Sequence, residues 1–426
     1  MNEQEAVELF SKRSVGGHDD YEVADLVKKL DYIPLAISQA ASHIAERAGR
    51  MTIAEYLVEL DSLDQKSLKV LEASIDESHR DDGRSNSVVA TWMVSFWCIQ
   101  TTMPSAARLL SLMCLFDRHT IPEELLTGQY PLETVSILKR RSWWRRYSGF
   151  GQKTKPQKPL NEKPTDDSNF SRDHLTLHNF ALIKAEKDGQ HFEMHRLIQL
   201  ATKRWLELQN NLSYWTSRYI TLMHTAYPWP EESNEAWSKC QSLFPHAQRA
   251  RQYRPTDSVL LQNWGFLLQS AAAYAHELGS FADAEIFNRD AVSAWESMFG
   301  KNHPNTLGLM SNLGYMLLSL NRLQEAEGIH RRVLVLREQM SGKDDEETLK
   351  AVYAVGNVLL SKGKFNEAER MYRRVLVVRE KRLRNMHRDT RLVVVKLMGT
   401  LRTMGREEEV DELLLRAFPS EKNDVR

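Results

Sequence analysis

His303 to Leu334 reads HPNTLGLMSNLGYMLLSLNRLQEAEGIHRRVL, and its layout recurs along the last third of the chain at a step of 42 residues. Ala284, Ala326, Ala368 and Val410 are each 42 apart, and an acid follows every one of them: Glu285, Glu327, Glu369 and Asp411. Phe281, Leu323 and Phe365 keep the same step, although Glu407 stands in the fourth place. Val292, Leu334, Leu376 and Phe418 hold the register, as do Arg289, Arg331 and Arg373. Such a period is the signature of a stacked helical repeat, in which no unit buries its apolar face alone.

One copy reads as a helix pair. From Asn312 to Leu320 the apolar residues fall three and four apart, which makes one buried stripe. Gly279, Asn321, Gly363 and Gly405 stand where the chain must leave a helix through a left-handed conformation. A second helix then runs from about Gln324 to Arg337, and small Ala326 lets it approach the first. Thr306, Thr348 and Thr390, in HPNT, DEET and HRDT, are expected as N-caps of the first helices. The acidic fourth copy, Glu407 to Glu409, suits a terminal cap.

Working outward, residues 1–78 are expected as a helical subdomain, with apolar periodicity in Val23 to Leu30 and Leu35 to Ile44. Pro34 opens a helix, where its missing N–H costs nothing. Residues 85–210 form the next domain. Its first part, including IPEELL (Ile121 to Leu126), reads as helical, and a loose insertion is expected at 139–172. Ala181 to Ala185 and Phe192 to Met194 flank an Asp188-Gly189 turn, as in a β-hairpin, and a helix follows from His195. Helices followed by a hairpin are what a winged-helix domain contains. A helical linker at 211–256 then leads into the repeats at 257–426. The fold class is mainly α: a helical subdomain, a winged-helix subdomain and an α-solenoid.

These motifs resemble the C-terminal part of NLR-type (NB-ARC) signalling ATPases, especially fungal members that end in kinesin-light-chain-like tetratricopeptide repeats. LDYIPLAISQAASHI (Leu30 to Ile44) is similar to the Gly-Leu-Pro-Leu-Ala motif of the first helical subdomain, with Asp31, Tyr32 and Ile33 as its lead-in. FEMHRLIQLATKRWL (Phe192 to Leu206) is similar to the Met-His-Asp motif that closes the winged helix, with Arg196 in place of the Asp. The resemblance implies that Pro34 lies against adenine and that His195 meets the β-phosphate of ADP in complete members. Those members bind ADP or ATP on a GxxxxGK[ST] loop, which is absent from this sequence. The chain begins where the nucleotide-binding domain would be ending, as a truncation, an incomplete gene model or a fragment would. No cofactor is therefore expected, and Pro34 and His195 are read as vestigial, packing residues.

Composition narrows the function further. Hydrophobic residues are 42% and charged residues 27% of the 426, and 57 Lys+Arg balance 57 Asp+Glu, so no overall charge points to nucleic acid or anionic membrane. The segment Lys139 to Lys158 is a local exception, basic with interleaved Trp143, Trp144, Tyr147 and Phe150. No apolar run approaches the roughly 20 residues of a spanning helix, and MNEQEAVELFSKR is too charged for a secretory signal. Cys98, Cys114 and Cys240 match no metal spacing and read as buried reduced thiols of a cytoplasmic protein. His174, His178, His191 and His195 cluster in sequence but lack a partner set for metal or nucleophilic chemistry, so neither a catalytic nor a metal site is expected.

Function is accordingly expected to be non-catalytic: the interaction or sensor portion of an NLR-like protein, binding a protein or peptide through first-helix side chains. Asn312, Tyr315, Ser319, Asn357 and Ser361 are the groove candidates. Arg331, Arg332, Arg373 and Arg374 on the second helices read as a solvated face. A kinesin-light-chain-like cargo or scaffold adaptor is the alternative, and nucleic-acid binding through the winged helix and basic segment is the second. Self-association is a further option, while nucleic acid is not the expected partner.

Overall fold

The computed structural model describes residues 1–14, 18–62, 85–130, 166–230, 233–382 and 388–417. Contacts divide the chain into two units, Met1–Ala226 with Gln248–Tyr253 and Tyr227–Ala247 with Arg254–Arg426. The stretch 211–256, expected as a linker, is thus shared between them.

In the first unit, α1 (Glu3–Arg13), α2 (Asp20–Lys29), α3 (Pro34–Glu46) and α4 (Ile53–Asp61) form a bundle. Asn2 with Glu5, and Thr52 with Glu55, make reciprocal capping boxes that start α1 and α4. Pro34 is the first residue of α3, as its fixed φ favours. Asp31 and Tyr32, both at φ 53°, turn the chain out of α2 through the left-handed region. Tyr32 stands where the resembled motif has Gly, the residue that adopts this conformation most readily. Phe10, Leu26, Leu30, Ile37 and Tyr56 are fully buried in the bundle core.

Helix α5 (Ser85–Thr102) joins that core through Val88 and Val94. The Thr91 hydroxyl donates to Gln39 Oε1 at 2.7 Å, and His43 Nδ1 lies 3.2 Å from Ser95 Oγ. After α6 (Pro104–Met113) comes a three-stranded antiparallel sheet in the order β1-β3-β2, with β1 at Ile121–Pro122, β2 at Ile183–Ala185 and β3 at His191–Met194. Helices α7 (Asp166–Asn179), α8 (Arg196–Leu208) and α9 (Leu212–Ala226) complete the unit.

Two expectations change here. IPEELL is not helical throughout: Ile121 and Pro122 pair with Phe192 and His191, and only Glu123–Leu125 turns as a 3-10 segment. The insertion does not reach residue 172, because α7 starts at Asp166; Asn169, Phe170, Asp173 and Leu177 are buried on it, and Ser105 Oγ donates to Asp173 at 2.7 Å. The hairpin forms as expected, with Asp188 and Gly189 in its turn. Glu186 N bonds to His191 O, and Asp188 Oδ1 accepts from the backbone N–H of Gln190 and His191. The basic segment Lys139 to Lys158 lies outside the described residues.

The second unit begins with Tyr227–Ala247, most of α10 (Asn234–Ala250), whose Trp237 and Phe244 pack on Tyr274. Four helix pairs follow: α11 (Ser258–Glu277) with α12 (Phe281–Phe299), α13 (Pro304–Ser319) with α14 (Leu323–Ser341), α15 (Glu346–Ser361) with α16 (Phe365–Arg382), and α17 (Arg388–Thr403) with α18 (Glu407–Ala417). Each first helix ends in the same way. Gly279, Asn321, Gly363 and Gly405 have φ of 81°, 57°, 72° and 73°. The next residue's N–H reaches back five residues, from Ser280 to Ala275, Arg322 to Leu317, Lys364 to Leu359 and Arg406 to Leu401.

The threonines are not N-caps. His303 Nδ1 accepts from Asn305 N, and Asp345 Oδ1 accepts from Glu347 N, so the caps lie one turn earlier. Thr306, Thr348 and Thr390 occupy the third helical position and are buried, where a compact β-branched side chain packs between helices.

Two features hold the pairs in register. Gly314 and Gly356 let the second helix approach so closely that a Cβ would lie 2.4 Å from His330 Nε2 and 2.7 Å from Tyr372 Cε1. Along the solvent-exposed face of the second helices runs a ladder of ion pairs. Glu285, Glu327 and Glu369 each accept from the arginine one turn on, Arg289, Arg331 and Arg373, at 2.7–2.8 Å. Those arginines also reach the next pair, at Glu325, Glu367 and Glu409. Arg322, Lys362 and Arg406 reach back to Glu285, Glu327 and Glu369. Lys362 and Arg331 hold the Glu327 carboxyl below the usual carboxylate range. Networks of this kind are worth more than isolated surface pairs, because one ordered side chain serves two partners.

Candidate interaction surface

The first helices carry the candidate groove residues, and the 42-residue step sets them in rows. Tyr315 and Asn357 share one register position with Ala273 and Gly399; Ser319 and Ser361 share another with Glu277 and Thr403. Asn312, Ser319 and Ser361 are exposed, whereas Tyr315 and Asn357 are half-buried. Tyr315 is held edge-on against His330, with ring centroids 5.0 Å apart, and burial pushes its phenol up to about 12. Asn357 Oδ1 accepts from the Tyr372 hydroxyl at 2.8 Å, so its carbonyl is engaged within its own helix pair.

Sequence reading missed two residues of this surface. Tyr353, one turn before Asn357, is half-buried with its ring 5.7 Å from Tyr372. Phe266 is 37% exposed on α11 and lies edge-on to Trp295. The signal for both was the repeat register itself, which sets Tyr353 with Ser311 and Val395, and Phe266 with Gly308, Lys350 and Leu392. The rows present hydroxyls, amides and tyrosine rings fixed by packing. Such groups hydrogen-bond a peptide main chain and seat apolar side chains.

In the first unit, Pro34 and His195 are both exposed at helix starts. His195 is the N-cap of α8, its Nδ1 accepting from Leu197 N at 3.2 Å. Partial burial, then nearby Arg118, lowers its basicity. Leu197 packs on the core cluster that also takes Tyr32, Ile33 and Leu35, which ties the two motifs into one piece of structure. Cys98, Cys114 and Cys240 are free and buried, and burial pushes the Cys114 thiol up to about 12, where it is unreactive. Among the described residues no group of three His, Cys, Asp or Glu side chains is placed to hold a metal, and no helix is long and apolar enough to cross a membrane.

Residues 266–339 and 308–381 match the tetratricopeptide repeat family. The second unit is a tetratricopeptide array. Residues 97–210 match a family described as a domain of unknown function, DUF7779. An NLR-like (nucleotide-binding leucine-rich repeat-like) protein of Hyaloscypha variabilis is 25% identical over 289 residues, 67% of this chain. The match spans 25% of that relative's length. Among solved structures, a Podosopora anserina protein described as a kinesin light chain with nearly identical TPR-like repeats aligns at 16% identity and a TM-score of 0.40, covering 47% of this chain and 93% of that one. BtubC (BKLC) from P. vanneervenii aligns at 17% identity and a TM-score of 0.36, covering 50% and 82%. The tetratricopeptide array thus lies in a chain similar to an NLR-like protein, and its repeats are a protein-interaction scaffold.

Proposed function

We propose that this chain is the sensor portion of an NLR-like signalling protein, and that it binds a protein or peptide through the first helices of its repeats without using ATP. The observation that carries this reading is the register of Tyr315 with Asn357 and of Ser319 with Ser361, which sets them in rows along an array stiffened by the ion-pair ladder. A surface preorganised in this way loses little side-chain entropy on meeting a peptide. Pro34 and His195 then serve as helix starters, because this sequence supplies no backbone cradle for phosphate. The site of action is the cytoplasm. Isothermal titration of the whole chain with ATP and Mg²⁺ tests the nucleotide half of the reading. No heat of binding is expected; tight, Mg²⁺-dependent binding would overturn it.

A further inference from the structure

Tyr353 stands in the first-helix rows on α15, and its neighbours decide which way its hydroxyl bonds. The Tyr372 hydroxyl, on α16, donates to Asn357 Oδ1 at 2.8 Å. With that oxygen engaged, the Asn357 amide turns the hydrogens of Nδ2 the other way. Tyr353 lies one turn back on the same helix, where side chains four apart meet. Burial raises the Tyr353 phenol, while a hydrogen bond from Asn357, and then the charge of Arg379, act to lower it. A bond that lowers a phenol is one its oxygen accepts, because it favours the phenolate. Arg379 can only donate, and its own Nη1 and Nη2 go to Asp389 O and Glu346 Oε1.

A hydroxyl that accepts from Asn357 still has its proton to give. Among the described residues no oxygen of the chain takes it. The row that holds Tyr353 is open to solvent in the preceding pairs too, where Gln269 and Ser311 are half-buried. We propose that Tyr353 is a specificity-determining donor, giving its hydroxyl proton to a carbonyl or carboxylate oxygen of the bound peptide, and that Asn357 and Tyr372 are positioning residues that turn that proton outward. The assignment rests on the first helices being the peptide-binding surface. It makes Asn357 act through Tyr353 and not by touching the peptide.

Peptides selected on the wild-type chain from a random display library serve as probes, with affinity read by fluorescence anisotropy. Tyr353→Phe keeps the ring and loses the proton, so affinity should fall about fivefold while the melting curve stays close to wild type. Asn357→Asp offers both phenols only acceptors. It should draw the Tyr353 proton inward and weaken binding by a similar factor. In the Tyr353→Phe background, Asn357→Asp should cost nothing further, because no proton is left to turn. Exchanging each acid of a peptide for its amide separates the two acceptors. Unchanged affinity assigns the main-chain carbonyl, and a loss seen only with Tyr353 present assigns the carboxylate. Full affinity in Tyr353→Phe, or losses that add in the double variant, would overturn the proposal. Peptide recognition itself would still stand if Asn312→Ala with Ser319→Arg weakened binding. Failure to select any peptide would overturn both.

Discussion

Gly314→Ala is expected to destabilise the repeat array, and His330→Asn in the same chain is expected to rescue it. Alanine would ordinarily strengthen a helix interior by about 1 kcal/mol relative to glycine. Here its Cβ would sit 2.4 Å from His330 Nε2, 2.6 Å from Cε1 and 2.9 Å from Cδ2, against a ring with no exposed surface. Overpacking of a closed core costs about 1–3 kcal/mol, so the clash outweighs the gain in propensity. The chain already contains the compensated form: the first pair has Ala272 and Asn288 where the second has Gly314 and His330, and both are buried. Gly356→Ala should behave like Gly314→Ala. Its Cβ would lie 2.7 Å from the Tyr372 ring, which is anchored by its hydroxyl on Asn357. Urea denaturation of the single and double variants measures this. A single Gly314→Ala that raises stability would show that the helices do not approach as described.

The second large effect is loss of stability in weak acid. Burial lowers His330 from an ordinary 6.5 to about 4; burial, followed by the charge of Arg47, lowers His43 to about 3. Neither ring nitrogen of His330 has a hydrogen-bond partner among the described residues, and His43 Nε2 likewise has none. Each histidine is therefore neutral when folded, whereas the unfolded chain takes up a proton as pH falls through 6.5. The unfolded state binds more protons, so stability rises with pH and falls as the solution is acidified. Above about 6.5 these groups contribute no slope. Below it each adds up to about 1.4 kcal/mol per pH unit, ending near pH 4 for His330 and near pH 3 for His43. Glu327, whose carboxyl is held low by Lys362, destabilises in the same direction, but only below its ordinary 4.5. The window between the two ordinary values isolates the histidines. Denaturation midpoints across that window should fall for both units, and His330→Asn should flatten the profile of the repeats alone. A flat wild-type profile would contradict the neutral buried histidines.

How much of this was legible in the sequence depended on whether a feature is local. The left-handed turns at Gly279, Asn321, Gly363 and Gly405 were visible because the backbone demand falls on Gly or Asn, the residues that meet it most readily, at one spacing. Pro34 was visible at a helix start for the same reason. Ile121–Pro122 was not, since its strand exists only through pairing with His191 and Phe192, far along the chain. Asp166–Asn179 was hidden by sparse apolar residues; a carboxylate, Asp173, occupies a buried position on it, paired with Ser105. The ion pairing of Arg331 and Arg373 was hidden because their second partners, Glu367 and Glu409, lie on another helix pair. For the interaction surface, sequence placed Asn312, Ser319 and Ser361 in the open and could not foresee that Asn357 is engaged by Tyr372. The threonine caps failed because His303 and Asp345, also good acceptors, stand three residues earlier.

Recognition of a peptide by the first-helix rows is the centre of the account, and a binding comparison on selected peptides reaches it most directly. Peptides selected from a random display library on the whole wild-type chain would be measured by fluorescence anisotropy against wild type, Asn312→Ala with Ser319→Arg, and Val335→Arg. Both changed faces are exposed, so folding is preserved in each case. Binding is expected to fall at least tenfold in the first-helix variant, to stay unchanged in Val335→Arg on the second-helix face, and to be indifferent to ATP. Equal binding by all three chains, or loss only in Val335→Arg, would contradict it.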